Sequence, residues 1–306
     1  MAEASSVKNG SVLKDIRMDG KTVLITGANT GIGYETAKDL SSRGAKVIMA
    51  GRDAGKVEKA MKEIKSCDLK ANLVGVELDL ASMESIRKCA DKIMETEAKL
   101  DVLINNAGIM SCPQWKTKDG FEMQLGVNHI GHFLFTNLLL DLVKKSSPSR
   151  IVILSSSGHT RGRMNWDDIM SEKKYNPFVV YCQSKLANIL FARELSRKLE
   201  GTGVTCNSVH PGLVKTELGR HFMNKEGTWN TIKYYLVFPF VKMIFKTPEQ
   251  GAQTSIYCAV APELNQVSGK YFADCKIEEE APAAKNDEDA KRLWELSLEW
   301  TGLKSK

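Results

Sequence analysis

The runs TVLIT (Thr22–Thr26), DVLIN (Asp101–Asn105) and RIVIL (Arg150–Leu154) are apolar almost without interruption. A strand with one face in water alternates apolar and polar residues, so strands of this kind must be covered on both faces. Strands are expected at Thr22–Thr26, Lys46–Ala50, Leu73–Leu78, Val102–Asn105, Ile151–Ser155, Val204–His210 and Gly269–Ala273. Between them lie runs of helical period: Ile32–Ser42, Ala54–Lys65, Met83–Thr96, Phe121–Val143, Phe178–Glu200 and Pro248–Val260. Helices between consecutive strands imply right-handed crossovers and a parallel sheet. The expected class is therefore α/β, a doubly wound parallel sheet of about seven strands with helices on both faces. No Gly/Ser/Pro linker divides the chain, so residues 19–306 are expected to form one domain. Residues 1–18 are expected to form an arm, poorly ordered or packed on the domain edge.

Composition narrows the function classes. The net charge is +6, with lysines spread along the chain among acids, so no dense basic stripe speaks for a nucleic-acid partner. Seven cysteines, an odd number without a CxxC pair, and dispersed histidines argue against a disulfide framework or a metal centre and suit a reducing compartment. MAEASSVKNGSVLKDIRM, the first eighteen residues, lacks the apolar core of a signal peptide, and no apolar run reaches spanning length. The expected place is the cytoplasmic side, soluble or peripherally membrane-associated.

The first strand runs into TGANTGIG, with glycines at 27, 31 and 33. They permit a tight turn and close backbone approach, and the helix opening there presents free N–H groups that attract a pyrophosphate. Gly27, Asn29, Thr30, Gly31, Ile32 and Gly33 are thus candidate cofactor contacts. The second strand ends in GRD, where a carboxylate would select NAD by accepting from both ribose hydroxyls. Ala50 and Gly51 stand at the tip instead, followed by Arg52, whose guanidinium can clamp a 2′-phosphate. Asp53 sits where it would cap the helix starting at Ala54. The expected cofactor is NADP (NADPH). Asp79 and Leu80 follow the third strand; Asp79 either meets the adenine edge or only terminates the strand.

TGANTGIG, DVLINNAG, SSS, YCQSK and HPG resemble, in order and spacing, the motifs of short-chain dehydrogenases/reductases across roughly Lys21–Ala273. YCQSKLANILFARELSRKL, NHIGHFLFTNLLL and VHPGLVKTEL resemble the retinol dehydrogenase branch, whose members are membrane-associated carbonyl reductases preferring NADPH. Many of them carry an N-terminal hydrophobic anchor, and none is expected here from the first eighteen residues. The resemblance implies a Rossmann-type fold and interconversion of an apolar aldehyde or ketone with its alcohol, retinal and retinol or a related lipid carbonyl first among them. A broad reductase of sterols, xenobiotics or quinones and a non-catalytic nucleotide-sensing module remain open. So do a homo-oligomer and a peripheral membrane contact.

Tyr181 and Lys185 share one helix face, one turn apart. An ammonium beside a phenol favours phenolate, which is expected to lower the tyrosine pKa toward the working range. Such a phenol can protonate a carbonyl oxygen as hydride reaches the carbon. A serine at the carboxyl edge of the strand ending at Ser155 can donate to the same oxygen. Family spacing to Tyr181 favours Ser156 over Ser155 and Ser157. Asn128 matches the family's fourth catalytic position, and Lys185 is implied to contact the nicotinamide ribose as well. In NNAG, Asn105 is expected to cross-link strands, with Asn106, Ala107 and Gly108 beside the cofactor. Pro211, Gly212 and Val214 are implied contacts on the nicotinamide side, and Thr216 is implied to bond the carboxamide or the pyrophosphate. No histidine is given a catalytic role.

A substrate lid is expected at residues 214–247, resting on TWNTIKYYLVFPFVKMIFK (Thr228–Lys246). Pro239 should break or kink a helix there, and the stretch is too short to span a bilayer. Its apolar side chains, Phe238 and Phe240 among them, either wall a pocket open to a membrane or pack against the body or a partner subunit.

Overall fold

The computed structural model describes residues 7–8, 11–12, 14–215 and 245–303. A hairpin of β1 (Val7–Lys8) and β2 (Ser11–Val12) precedes one sheet made of β3 (Thr22–Thr26), β4 (Lys46–Gly51), β5 (Asn72–Glu77), β6 (Val102–Asn105), β7 (Ser149–Leu154), β8 (Val204–His210), β9 (Tyr271–Ala273) and β10 (Lys276–Ile277). The sheet order is β10-β9-β8-β7-β6-β3-β4-β5. Every pairing is parallel except β10 with β9. The order reverses between β3 and β6, and the crevice beyond their carboxyl ends is where such sheets take ligands.

Alternation along each strand explains the two layers. Val23 and Ile25 of β3 enter one apolar cluster and Leu24 the other; Val47 and Met49 of β4 oppose Ile48 and Ala50 in the same way. The first cluster is closed by α1 (Gly31–Ser42), α2 (Ala54–Cys67) and a later helix, through Leu40, Ile64 and Ile256. The second is closed by α3 (Met83–Thr96), α5 (Gly131–Lys145) and α6 (Pro177–Lys198), through Ile93, Leu139 and Leu195. Each fully buried Leu or Ile contributes about 1.5–3 kcal/mol. This is why the apolar runs could not tolerate polar alternation. Before α5 stand a short turn, α4 (Met123–Leu125), and a π-helical turn, Gly126–Ile130. After β8 come α7 (Pro248–Val260), the later helix of the first layer, and α8 (Asp287–Trp300).

Two features depart from the sequence reading. The sheet has eight strands rather than about seven, because Asp274 and Cys275 (φ 50 and 59°) turn β9 back into the exposed β10. The helix α8 was not expected. It lays Trp294 against Phe133 at 4.9 Å between ring centroids and against Phe191 at 6.0 Å. The described part of the first eighteen residues packs on the body: Val12 N–H donates to Gln253 Oε1 (2.9 Å), and the buried Arg43 donates to Ile16 O (3.0 Å).

Asn286 starts α8 by accepting from Glu288 N–H (3.0 Å) and Asp289 N–H (3.1 Å). Asn286→Ala is expected to cost about 1 kcal/mol, read as a lower urea midpoint at constant slope; an unchanged midpoint would deny the cap any weight.

Candidate active site

A cavity of about 640 Å³ opens over the carboxyl ends of the strands, touching Thr26, Gly51 and Leu154 at the ends of β3, β4 and β7 and Asn106 and Pro211 just beyond β6 and β8. At one end α1 begins. Its N-cap Thr30 makes no side-chain capping bond and its first turn holds no acid, so the turn's backbone N–H groups are left for an anion. Gly27, Asn29, Thr30, Gly31, Ile32 and Gly33 all line this end. Gly33 is fixed by contact: a Cβ there would meet Gly27 O at 2.3 Å and Asn106 Nδ2 at 2.5 Å.

The cross-link between strands belongs to Asn106, not Asn105. Asn106 N–H donates to Thr26 Oγ1 (2.9 Å) and its Nδ2 to Thr26 O (2.7 Å). Asn105 instead turns its amide into α5, donating to Thr136 Oγ1 (2.7 Å). The strand's alternation sends neighbouring asparagines opposite ways. Ala107 N–H also reaches Thr26 Oγ1 (2.9 Å). With both lone pairs taken, the Thr26 hydroxyl gives its own proton to His132 Nε2 (2.8 Å), and His132 Nδ1–H donates to Asn128 O (3.0 Å). Burial drops the His132 pKa to about 4, so the ring is a neutral tie. The sequence reading gave His132 no role; its place one helical turn after Asn128 was the available signal.

Arg52 lines the cavity beyond β4, and Asp53 Oδ1 accepts from Lys56 N–H (3.0 Å) as the N-cap of α2. The cap consumes the carboxylate that rivals Arg52. Lys56 adds a second cation to this wall, which the sequence reading missed. Asp79 lines the cavity with Leu80; its oxygens accept from Ala81 N–H (3.0 Å) and lie 3.4 Å from Lys118 Nζ.

At the other end α6 starts on Asn176, whose side chain caps Phe178 and Val179 N–H, with Pro177 in the first turn. One turn on, Tyr181 stands beside Ser156, whose Oγ accepts from Gly158 N–H (3.1 Å). Of the three serines, Ser155 turns inward to donate to Lys185 O (2.7 Å) and Ser157 is exposed. His159 Nδ1–H donates to Ser156 O (2.7 Å), and His210 Nδ1 accepts from Ser157 N–H (3.2 Å). Two histidines thus hold the serine loop.

The electrostatics differ from expectation. Burial pushes the Tyr181 phenol up to about 12, against a smaller lowering by the neighbouring Ser156 hydroxyl. Burial likewise drops Lys185 to about 8. The ammonium stands 5.9 Å from the phenol ring centroid and donates to Leu154 O (3.1 Å), so desolvation outweighs its pull on the phenol.

Asn128 lies behind the cavity in the π-helical turn, a distortion frequent at functional sites. Its amide accepts from Ile109 N–H (2.9 Å) and donates to Ile109 O (3.0 Å) and Ser184 Oγ (2.9 Å). Gly108 leaves a hollow that a Cβ would fill, 3.3 Å from Asn128 Oδ1 and 3.5 Å from Lys185 Nζ. Pro211, Gly212 and Val214 line the same side, and Lys246 N–H donates to Leu213 O (2.7 Å). Thr216 and the expected lid, apart from residues 214–215 and 245–247, lie outside the described residues. The described apolar wall comes from elsewhere: Met110, Cys112, Trp115 and Met123, from the loop after β6 and from α4. The residues after NNAG, IMSCPQW, carried that signal. Among the described residues no helix is long and apolar enough to cross a membrane.

The chain matches the family model "short chain dehydrogenase" over residues 21–227. It is 50% identical over 300 residues to retinol dehydrogenase 13 of Homo sapiens, covering 98% of this chain and 90% of that protein. Retinol dehydrogenase 14 of Homo sapiens is also 50% identical, over 303 residues, with 94% and 88% covered. The crystal structure of an uncharacterized protein from Mycobacterium paratuberculosis aligns at a TM-score of 0.76 and 34% identity, covering 95% of this chain and 98% of that one. The chain belongs to the short-chain dehydrogenase/reductase family, in its retinol dehydrogenase-like branch. It is an oxidoreductase of CH–OH groups that uses a nicotinamide dinucleotide.

Proposed function

We propose that the chain is an NADP(H)-dependent oxidoreductase that interconverts an apolar aldehyde or ketone and its alcohol, with retinal and retinol or a related lipid carbonyl as substrate pair. One observation carries the reading. A single cavity joins the cations of Arg52 and Lys56 at one end to the neighbouring Tyr181 and Ser156 at the other, beside an apolar wall. The retinoid is suggested by the relatives' names.

The donor set fits a dinucleotide: an uncapped helix start, a hollow at Gly108, and two basic side chains. When bound, the dinucleotide supplies or accepts the hydride. The backbone N–H groups of Gly31 to Gly33 would hold its pyrophosphate, and Arg52 with Lys56 would hold the 2′-phosphate. Asp79 and Leu80 would border the adenine. Asn106, Ala107 and Gly108 would shape the floor, Lys185 would contact the ribose, and Pro211, Gly212 and Val214 would border the carboxamide; the family resemblance assigns Thr216 to the carboxamide or the pyrophosphate. Ser156 donates to the substrate oxygen and orients it. Tyr181 gives that oxygen its proton in reduction and takes one back in oxidation. Asn128 fixes Ile109 and Ser184 around Lys185.

The pH dependence follows from the two shifted groups. The phenol, held near 12, stays protonated at neutral pH and is ready for reduction. Lys185 keeps its charge below its value of about 8 and loses it as pH rises through that value. Because kcat/KM reports the free enzyme, kcat/KM for NADPH should be level below about pH 8 and fall above it. A level profile to about pH 10 would remove the Lys185 charge from cofactor capture.

The function is tested by NADPH consumption against all-trans-retinal, medium-chain aldehydes, steroids and quinones. Preference for retinal supports the reading, preference for steroids or quinones moves it to a broad carbonyl reductase, and no turnover on any of them overturns it.

A further inference from the structure

The loop after β6 that walls the cavity adopts a conformation its own sequence does not favour. Ser111 sits at φ 52°, the left-handed region that costs a non-glycine residue strain unless its surroundings impose it. What imposes it is one fully buried amide. Gln124 Oε1 accepts from Ser111 N–H (2.7 Å), and its Nε2 donates to Tyr175 Oη (3.1 Å) and to Pro177 O (2.9 Å). Tyr175 in turn donates its phenol proton to Cys112 O (2.8 Å), with Pro113 O at 3.2 Å. Burial holds that phenol above its ordinary value, so the proton stays available at any working pH.

These bonds join three segments. Gln124 stands four residues before Asn128, and Pro177 stands four residues before Tyr181, one helical turn in each case. The strained loop between them carries Met110, Cys112 and Trp115 into the cavity. We propose that Gln124 and Tyr175 are positioning residues that fix the gap between this apolar wall and the Tyr181 hydroxyl, and so set how bulky a carbonyl the site accepts. The pair touches neither substrate nor cofactor. It acts by fixing where the wall stands. The substrate half of the inference rests on the proposed function; the latch itself does not.

Tyr175→Phe removes one hydroxyl and frees the Cys112 and Pro113 carbonyls while leaving the ring in place. The first readout needs no turnover. Cys112 is buried and Cys67 exposed, so iodoacetamide labelling with peptide mapping compares them within one molecule, with the buried Cys206 reporting the global fold. In Tyr175→Phe the Cys112 labelling rate should rise at least tenfold, with Cys67 and Cys206 unchanged. The second readout is the ratio of kcat/KM for all-trans-retinal to that for a short aldehyde. It should shift at least fivefold, mainly through KM, while the NADPH Kd stays within twofold. Gln124→Met, which keeps the volume and loses the amide, should move both readouts the same way if it folds. Cys112 labelling within twofold of wild type in Tyr175→Phe would overturn the latch, and an unchanged substrate ratio would overturn its role in selectivity. A wild type inert on every carbonyl would sink the proposed function instead, with the labelling still deciding the latch.

Discussion

Replacing Tyr181 with phenylalanine should lower turnover by about a hundred- to ten-thousand-fold, the usual worth of a general acid. The reason the loss should be chemical rather than structural lies in the neighbours. The ring is buried and keeps its packing, while Ser156 retains its bond from Gly158 N–H and the loop stays anchored by His159 and His210. NADPH affinity and the unfolding midpoint should therefore hold. Turnover within threefold of wild type would remove Tyr181 from the mechanism.

Arg52→Asp should collapse cofactor preference, measured as kcat/KM for NADPH over that for NADH. Losing a charge-assisted hydrogen bond costs about 1.5–3 kcal/mol, roughly ten- to a hundredfold, and the introduced carboxylate adds repulsion. Because Arg52 is exposed, screening holds the expected change toward the lower part of that range. Lys56→Gln should give the same direction with a smaller change. A wild type that already prefers NADH would refute the assignment of Arg52.

The parts of this molecule that were legible in the sequence are those where one physical demand acts alone. Burial on both faces left Val23, Leu24 and Ile25 no freedom to be polar, and the central strands could be read to within a residue or two. The helix α8 was hidden by its surface. Half of DEDAKRLWELSLEW is charged, and its fully buried residues are just Ala290, Leu293, Trp294 and Ser297. That helical spacing behind an Asn cap was nevertheless visible. The hairpin β1–β2 had its own signal in the Asn9-Gly10 dipeptide between its strands. Local periodicity says little about such short elements.

The site divides along a similar line. The glycine turn and the Tyr–Lys spacing declare themselves because backbone approach and helix geometry are local. The neighbouring pairs Asn105/Asn106 and Ser155/Ser156 are harder, since which residue faces the cavity depends on where the strand stops. Here β7 ends at Leu154, a residue earlier than the strand expected from the sequence. The direction of the Tyr181 shift was out of reach, because desolvation is a property of everything packed around it. So was the Gln124 latch, whose bonds reach across 13 residues in one direction and 51 and 53 in the other.

The aromatic face that α8 covers also matters while the chain is being made. Phe133 and Phe191 belong to helices synthesised well before their cover, which comes much later in the sequence. A ribosome adds about 5–20 residues each second. For several seconds the emerging polypeptide therefore carries a naked aromatic surface with nothing of its own to close it. Translation that stops short of Trp294 leaves that surface bare for good, and truncated products become natural clients for chaperones and proteases.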